Sequence, residues 1–274
     1  IGGGFKGVVY PVNETSEAVM GVPCYPDLGS LPRLPDLAVV CTAAEQVPGW
    51  VDQCGKSGIK GIIIMSAGFR ESGETGRRLE EEIQTIRLKY PGMRIMGPNC
   101  LGIIVPELNL NLSFAPQLPP RGHIAFISQS GALCTAILDW ALPNGVGFST
   151  VVSPGAEGDV DFGEVLEYMV ADPKTENIFL YIEGIKNARR FMSALRSAAR
   201  IKPIILLKAG RHAAGSAAAA THSGMAAVSD TVFDAAVRRA GVVRVQNVGQ
   251  LFYAAKALAS KFRPMGNRLA IITN

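Results

Sequence analysis

Short runs of β-branched and other apolar residues alternate along this chain with segments whose apolar positions recur every three or four residues. The first pattern predicts strands at Val8–Val12, Leu37–Cys41, Ile59–Met65 and Arg94–Met96, then at His123–Ser128, Phe148–Val152, Ile178–Ile182, Pro203–Lys208 and Val242–Val245. The second predicts helices near Gln46–Gly55, Gly76–Tyr90, Ala132–Leu142, Asp161–Val170, Asn187–Arg200, Ser229–Ala240 and Val248–Lys261. Most strand runs are apolar throughout rather than alternating, as in strands covered on both faces. Strands of that kind separated by helices predict an α/β fold with parallel sheets.

The two series of strands are separated by Ala115-Pro-Gln-Leu-Pro-Pro-Arg-Gly122, where three prolines and a glycine break any regular pattern. The expected division is therefore a first domain over 1–116, a second over 122–262, and the start of a further one over 263–274. With 274 residues, 48% of them hydrophobic and 18% charged, two substantial cores can be buried. The net charge of +4 is spread over scattered Lys and Arg, so a nucleic-acid partner is not indicated. No apolar run is long enough to span a bilayer. The five cysteines are odd in number and well separated, without C-x-x-C pairs or a His/Cys cluster of metal-ligand spacing. Reduced thiols, no metal site and a cytoplasmic location are the expectations. The chain starts at Ile1 without methionine and ends in Leu269–Asn274, which reads as a strand just beginning, so a piece of something longer is expected.

Open parallel sheets bind ligands at the carboxyl ends of their strands, and four of those ends carry unusual residues. Ser128-Gln-Ser-Gly131 runs straight into a helix, offering hydroxyls and free N–H groups to an anion; a plain N-cap is the alternative. Glu183-Gly184 puts a carboxylate at the end of an apolar strand, where it needs a partner or solvent. After Lys208 comes a small-residue stretch, Ala213-Ala-Gly-Ser-Ala-Ala-Ala-Ala220, and then Thr221-His-Ser-Gly224. Of the three histidines only His222 is set between hydroxyls and glycine; a structural histidine is the alternative. Gly97-Pro98-Asn99 forces a turn after the last strand of the first series. A nucleophilic histidine, an orienting carboxylate and a helix start holding phosphate would together form a phosphohistidine site.

Several segments carry a resemblance. Tyr10-Pro-Val-Asn13, Met65-Ser-Ala-Gly-Phe69, Gly97-Pro-Asn-Cys-Leu-Gly102, Ser128-Gln-Ser-Gly-Ala132, Asp159-Val-Asp161, Tyr181-Ile-Glu-Gly184 and Thr221-His-Ser-Gly224 follow one another as in the NDP-forming acyl-CoA synthetases. This superfamily includes succinyl-CoA synthetase α subunits and ADP-forming acetyl-CoA synthetases. The resemblance implies a Rossmann-like CoA-binding domain followed by a flavodoxin-like, doubly wound parallel-sheet domain. It implies an acid-thiol ligase of the ADP-forming acetate-CoA ligase type. His222 would be the phosphorylated residue, Glu183 its orienting carboxylate, and Ser128, Gln129, Ser130 and Gly131 the phosphate-holding helix start. Pro11, Val12, Asn13, Ser66, Gly68, Pro98 and Asn99 would line the coenzyme A and thioester site. Acyl-CoA and phosphate are the implied ligands. ADP or ATP with Mg is expected on an ATP-grasp domain or subunit outside this chain, in an oligomeric assembly.

Three departures qualify the likeness. The family's first strand and Gly-rich CoA loop would precede Ile1. Asn13-Glu-Thr15 stands where the family often has Pro and Lys, and Gly155-Ala156 where it often has Gly-Asn. A second reading is a synthetase-like, acyl-CoA-sensing region of a GNAT-type protein lysine acetyltransferase, of which Asp139-Trp140 and Arg239–Val245 are also reminiscent. The presence of His222 favours ligase chemistry over that regulator and over a CoA-binding module without chemistry.

Overall fold

The structure, a computed structural model, describes residues 3–211, 229–260, 266–268 and 270–273. Near the start, Ala18–Val19 (β1) and Val22–Pro23 (β2) form a small antiparallel hairpin. Leu37–Val40 (β3), Gly61–Ile64 (β4) and Arg94–Met96 (β5) then build a three-stranded parallel sheet in that order. Two helices link these strands: Val47–Ser57 (α1), ended by Gly58 in the left-handed region, and Glu74–Lys89 (α2). Their apolar stripes, Val47, Val51 and Cys54 on α1 and Ile83 and Ile86 on α2, close a core with Ile62, Ile64 and Ile95.

The second sheet has seven strands. Gly102–Val105 (β6), Leu110–Ser113 (β7), Arg121–Ser128 (β8), Phe148–Ser153 (β9), Asn177–Ile182 (β10), Ile204–Lys208 (β11) and Val243–Val245 (β12) lie in the order β12-β11-β10-β8-β9-β6-β7. β8 to β12 are parallel, and β6 and β7 add an antiparallel edge. Numbered along the chain, the parallel strands have the order 2-1-3-4-5, the flavodoxin-like form of the doubly wound fold. Phe162–Ala171 (α4), Ala188–Ala199 (α5) and Asp230–Arg239 (α6) cover one face, contributing Phe162, Leu166, Phe191, Leu195, Phe233 and Val237 to its core. Gly131–Ala141 (α3) and Val248–Ala259 (α7) cover the other with Cys134, Ile137, Leu138, Leu251 and Ala255. Trp140 of α3 stacks on Phe252 of α7, ring centroids 4.3 Å apart. Strand alternation feeds both faces: Ala125 and Ile127 point to the first core, Ile124 and Phe126 to the second.

The fold class and the helix pattern agree with the sequence reading. One predicted strand fails: Val8–Val12 is irregular apart from a single bridge from Val12 to Tyr25. Val8 is 72% exposed, so its apolar run never acquires a sheet to join. β6 and β7 were not predicted. They fall within the 1–116 span yet pair into the second sheet, with Ile103 opposite Val152. The chain thus crosses between sheets at Gly97–Leu101, ahead of the proline-rich stretch. Among the described residues no helix is long and apolar enough to cross a membrane.

Charges and backbone seal the junction of the two sheets. Asp159 accepts from Arg94 Nε and from the Ile95 N–H, both at 3.0 Å, and faces Arg87 at 3.4 Å. Arg94 also reaches Glu164 of α4 at 2.7 Å. Val160 N–H bonds to Ile95 O at 3.1 Å, so the open edge of β5 is partly paired. The side chain of Asp159 is only 9% exposed, whereas Arg94 is 47% exposed. Asp159→Ala should therefore cost about 3 kcal/mol, because two guanidinium groups and a backbone donor lose their acceptor. Arg94→Ala should cost about 1 kcal/mol. Urea unfolding of the two variants checks the ordering, and equal losses would contradict it.

Candidate active site

In the 2-1-3-4-5 order the chain moves from β8 first to one side, to β9, and later to the other, to β10. The crevice where ligands enter such sheets is the one between the carboxyl ends of β8 and β10. Ser128–Gly131 follows β8 and Glu183 follows β10, so the sheet brings two of the sequence-predicted groups to that crevice. Gln129 joins them. Its N–H bonds to Tyr181 O at 3.2 Å, and its side-chain Oε1 accepts from the N–H groups of Glu183 (2.5 Å) and Gly184 (3.0 Å). Its Nε2 donates to Gly184 O at 2.9 Å and to Glu157 Oε1 at 2.7 Å.

The turn itself is held by its hydroxyls. Ser128 is fully buried; its Oγ donates to Ser130 O at 2.9 Å and accepts from Ser130 N–H at 3.1 Å. Ser130 is the N-cap of α3, accepting from Leu133 N–H at 3.2 Å. The sequence alternative of a plain cap is thus realised at Ser130. It leaves the first-turn N–H groups of Gly131 and Ala132 without intrahelical acceptors at the positive end of the helix. Gly131 has no positive φ, and a Cβ there would sit 3.5 Å from Leu101 Cβ, an ordinary contact. The fold does not require glycine at that position.

A second cluster gathers at the ends of β3, β4 and β5. Ser66 Oγ donates to Thr42 O at 2.6 Å, and Ser66 O accepts from Asn99 N–H at 2.9 Å. Gly68 N–H bonds to Glu71 Oε1 at 2.8 Å. Asn99 takes φ 53° after the cis Gly97–Pro98 bond and is exposed, while Pro98 is buried. Pro11, Val12 and Asn13 are tied elsewhere: Tyr25 N–H bonds to Pro11 O and Asn13 N–H to Tyr25 O, both at 2.9 Å. Asn13 Oδ1 caps its own turn through Thr15 and Ser16. Among the described residues no hydrogen bond joins these three to Ser66, Gly68, Pro98 or Asn99.

The loop after β9 connects the two clusters. Ala156 N–H bonds to Pro98 O and Gly158 N–H to Gly97 O, each at 3.0 Å. The approach is close enough to demand glycine at Gly155, where φ is 61° and a Cβ would fall 2.4 Å from Pro98 O. Between these contacts Glu157 turns inward at φ 52°, only 4% exposed. Its Oε1 takes the Gln129 amide and its Oε2 the Phe162 N–H at 3.2 Å. Burial, with a smaller push from Asp161, raises its pKa to about 7, against the opposing bonds from Phe162 and Gln129. Sequence reading missed Glu157. The signal was its place at the carboxyl end of a buried strand, beside the Gly155-Ala156 departure.

Lys208 is a second polar group that sequence reading did not single out. It is 5% exposed at the end of β11, with Nζ 3.2 Å from Ala209 O, 3.9 Å from Asp230 and 5.5 Å from the Phe233 ring centroid. Asp230 also pairs with Arg211 at 3.8 Å and with Arg244. His222 lies outside the described residues. Burial drives the Cys54 thiol to about 11 and Cys100 and Cys134 to about 12, so these three are inert packing groups. Among the described residues no cluster of His, Cys, Asp or Glu is disposed to hold a metal ion.

A doubly wound sheet in the order 2-1-3-4-5, with a helix start and a carboxylate-bearing strand end at its switch point, defines a flavodoxin-like α/β protein. Comparison with known families makes this specific. The succinyl-CoA ligase like flavodoxin domain matches residues 121–258 and a CoA binding domain matches residues 5–106. The chain belongs to the succinyl-CoA ligase like flavodoxin domain family, with the CoA binding domain ahead of it. It is 42% identical over 270 residues to the ADP-forming acetate–CoA ligase I of Archaeoglobus fulgidus, covering 98% of this chain and 39% of that protein. It is 41% identical over 268 residues to the α subunit of ADP-forming acetate–CoA ligase II of Pyrococcus furiosus, covering 98% of this chain and 58% of that subunit. A solved structure of Ca. Korarchaeum cryptofilum dinucleotide forming acetyl-coenzyme A synthetase 1, in complex with phosphate and ADP, superposes with a TM-score of 0.90. The identity there is 38%, over 96% of this chain and 57% of that one. The chain spans about two fifths to three fifths of the length of these relatives.

The buried carboxyl leads to a stability prediction. Between its ordinary 4.5 and its raised value of about 7, Glu157 holds its proton in the folded chain but not in the unfolded one. Folding is therefore favoured at the acid end of that window and loses stability as pH rises through it. At about 1.4 kcal/mol per pH unit the loss is roughly 3 kcal/mol. Glu157→Gln, which cannot ionise, should gain up to roughly 3 kcal/mol on the wild type between about pH 5 and pH 8. Denaturant unfolding at both ends reads this directly, and a pH-independent difference would refute it.

Proposed function

We propose that this chain is the CoA-binding and phosphohistidine-bearing portion of an ADP-forming acyl-CoA ligase, with acetyl-CoA as the substrate to test first. The observation that carries the reading is the meeting of the Ser128–Gly131 helix start and Glu183 at the switch point, locked together by Gln129. The relatives named as ADP-forming acetate–CoA ligases support it. The 1–116 and 122–262 division, crossed by the β6–β7 hairpin that pairs into the second sheet, and residues 263–274 as the start of a further domain belong to the same proposal. So does an ATP-grasp domain or subunit carrying ADP or ATP with Mg, in an oligomeric enzyme.

In this reading, phosphate attacks the thioester carbonyl of acyl-CoA; the C–S bond breaks and CoA leaves with a proton. The acyl phosphate then passes its phosphoryl group to the His222 imidazole, releasing the carboxylate. ADP takes the phosphoryl group from His222, forming ATP and restoring the histidine. The free N–H groups of Gly131 and Ala132 face the charge of the transferring group, and positioning of this kind is most of what phosphoryl transfer needs. Glu183 orients the imidazole. Ser66, Gly68, Pro98 and Asn99 hold the coenzyme A arm and thioester, with Pro11, Val12 and Asn13 assigned to the coenzyme on resemblance alone.

Incubation of the full-length enzyme, with its nucleotide-binding part, with acetyl-CoA and radiolabelled phosphate should label His222. The label should be acid-labile and base-stable, and absent from His222→Ala. Label on another residue, or label persisting in that variant, would overturn the reading. Gly131→Ala gives a separate check. Because the fold tolerates a Cβ there, stability should stay within about 1 kcal/mol of wild type. In this reading the methyl group crowds the phosphate at the helix start, and turnover should fall by at least about tenfold. Unchanged turnover would remove the helix start from the site.

A further inference from the structure

The loop 154–160 lies between the Gly97–Asn99 turn and the crevice, and Glu157 is the residue through which it reaches Gln129. We propose that Glu157 is a positioning residue for the anion-binding turn: its ionised carboxylate sets the orientation of the Gln129 carboxamide, which in turn fixes the spacing between the Ser128 and Glu183 strand ends. The inference rests on the reading of Ser128–Gly131 as a phosphate site, and it adds a residue and a control that this reading does not contain.

Among the described residues the Gln129 carboxamide donates to Gly184 O and Glu157 Oε1 and accepts from Glu183 N–H and Gly184 N–H. Rotated by half a turn, the amide would set oxygen against oxygen and N–H against N–H at all four contacts. An ionised Glu157 is purely an acceptor and enforces the observed orientation. Its second oxygen serves the Phe162 N–H, so both partners of the carboxyl are donors. A proton on Glu157 weakens the acceptor that carries it and adds an O–H donor among groups that are themselves donors.

The same carboxyl is poorly suited to a merely structural role. It is 4% exposed and occupies a left-handed backbone conformation that disfavours a side chain. The charged groups around it come from every neighbouring element. Asp161 at the start of α4 opposes its ionisation, and Lys186 after β10 favours it and donates to Glu157 O at 3.0 Å. Arg70, in the turn between β4 and α2 and paired with Glu80 of α2, interacts with its charge. Its raised pKa, about 7, places the change of state near neutrality.

The test compares full-length wild type and Glu157→Gln, each with its nucleotide-binding part, across about pH 5.5 to 8.5. Phosphate titrates in the same range, so the quantity to follow is the ratio of KM for phosphate, variant over wild type, in which that titration cancels. Glutamine resembles the protonated acid. The ratio should be near one at the acid end and rise to about fivefold at the alkaline end, as expected for one lost hydrogen bond. KM for acetyl-CoA should be unchanged, since Ala156 and Gly158 hold Pro98 and Gly97 through backbone alone. A ratio constant across the range would overturn the inference.

A second measurement is independent of turnover. In protein carrying 13C-glutamate and 15N-glutamine, the Gln129 side-chain amide resonances should move with the same midpoint as the Glu157 carboxyl and become insensitive to pH in Glu157→Gln. Amide resonances that ignore the Glu157 titration would refute the coupling. A wild type that forms no ATP from acetyl-CoA, phosphate and ADP would instead sink the ligase reading, and the resonance experiment would still decide this one.

Discussion

The carboxamide of Gln129 holds the functional end of this molecule together. A doubly wound sheet opens a crevice at its switch point because the connections on either side run in opposite directions. The crevice exposes strand-end backbone groups that are half removed from water and need partners. Gln129 supplies them from one side chain: two N–H groups on the β10 side, a carbonyl beside them, and the carboxylate of the loop after β9. The helix start of α3 therefore faces a wall whose position is set before any ligand arrives. Such preorganisation lets fixed dipoles act on a transferring group without reorganisation at the moment of reaction.

That arrangement carries a thermodynamic cost at Glu157, whose burial makes the folded state less favourable as it ionises. Gly155, with a backbone approach no side chain could share, sits two residues away. Local rules broken this close together are a mark of sites where function has overridden stability. The contrast within the cluster is informative. Gly155 is demanded by packing, whereas Gly131 is not, so the glycine at the helix start is the one that a ligand can explain.

Much of the architecture was legible from the chain alone. Val, Ile and Leu runs such as Ile178–Ile182 are apolar because both faces are covered, and the helices between them show one clear stripe each. Ser128–Gly131 and Glu183 stood out because polar residues at the end of an apolar strand break the pattern. β6 and β7 were missed because Gly102-Ile-Ile-Val105 is short and Leu110-Asn-Leu-Ser113 is half polar, and β9, the strand that ties β6 into the sheet, is distant in sequence. Val8–Val12 failed for the reverse reason: local propensity for strand without an edge to join. Glu157 was invisible as a site because its burial comes from three segments that meet only in the fold, and its charge alone reads as a loop residue. His222 was legible as a candidate from its neighbours, and its placement lies outside the described residues.

The crossing of β6 and β7 into the second sheet has a consequence for how this molecule can be divided. β9 is buried along its whole length, with β8 on one side and β6 on the other. A cut at the proline-rich stretch, natural as it looks, would strip β9 of that second neighbour. It would leave a row of unpaired amides and carbonyls on an apolar strand, the kind of edge that recruits another chain. Among the described residues no strand of one sheet pairs with a strand of the other, and yet the two are not modular. The hairpin that belongs to one by sequence and to the other by pairing acts as a seam, and gene fusions or splits in such a protein would have to respect it.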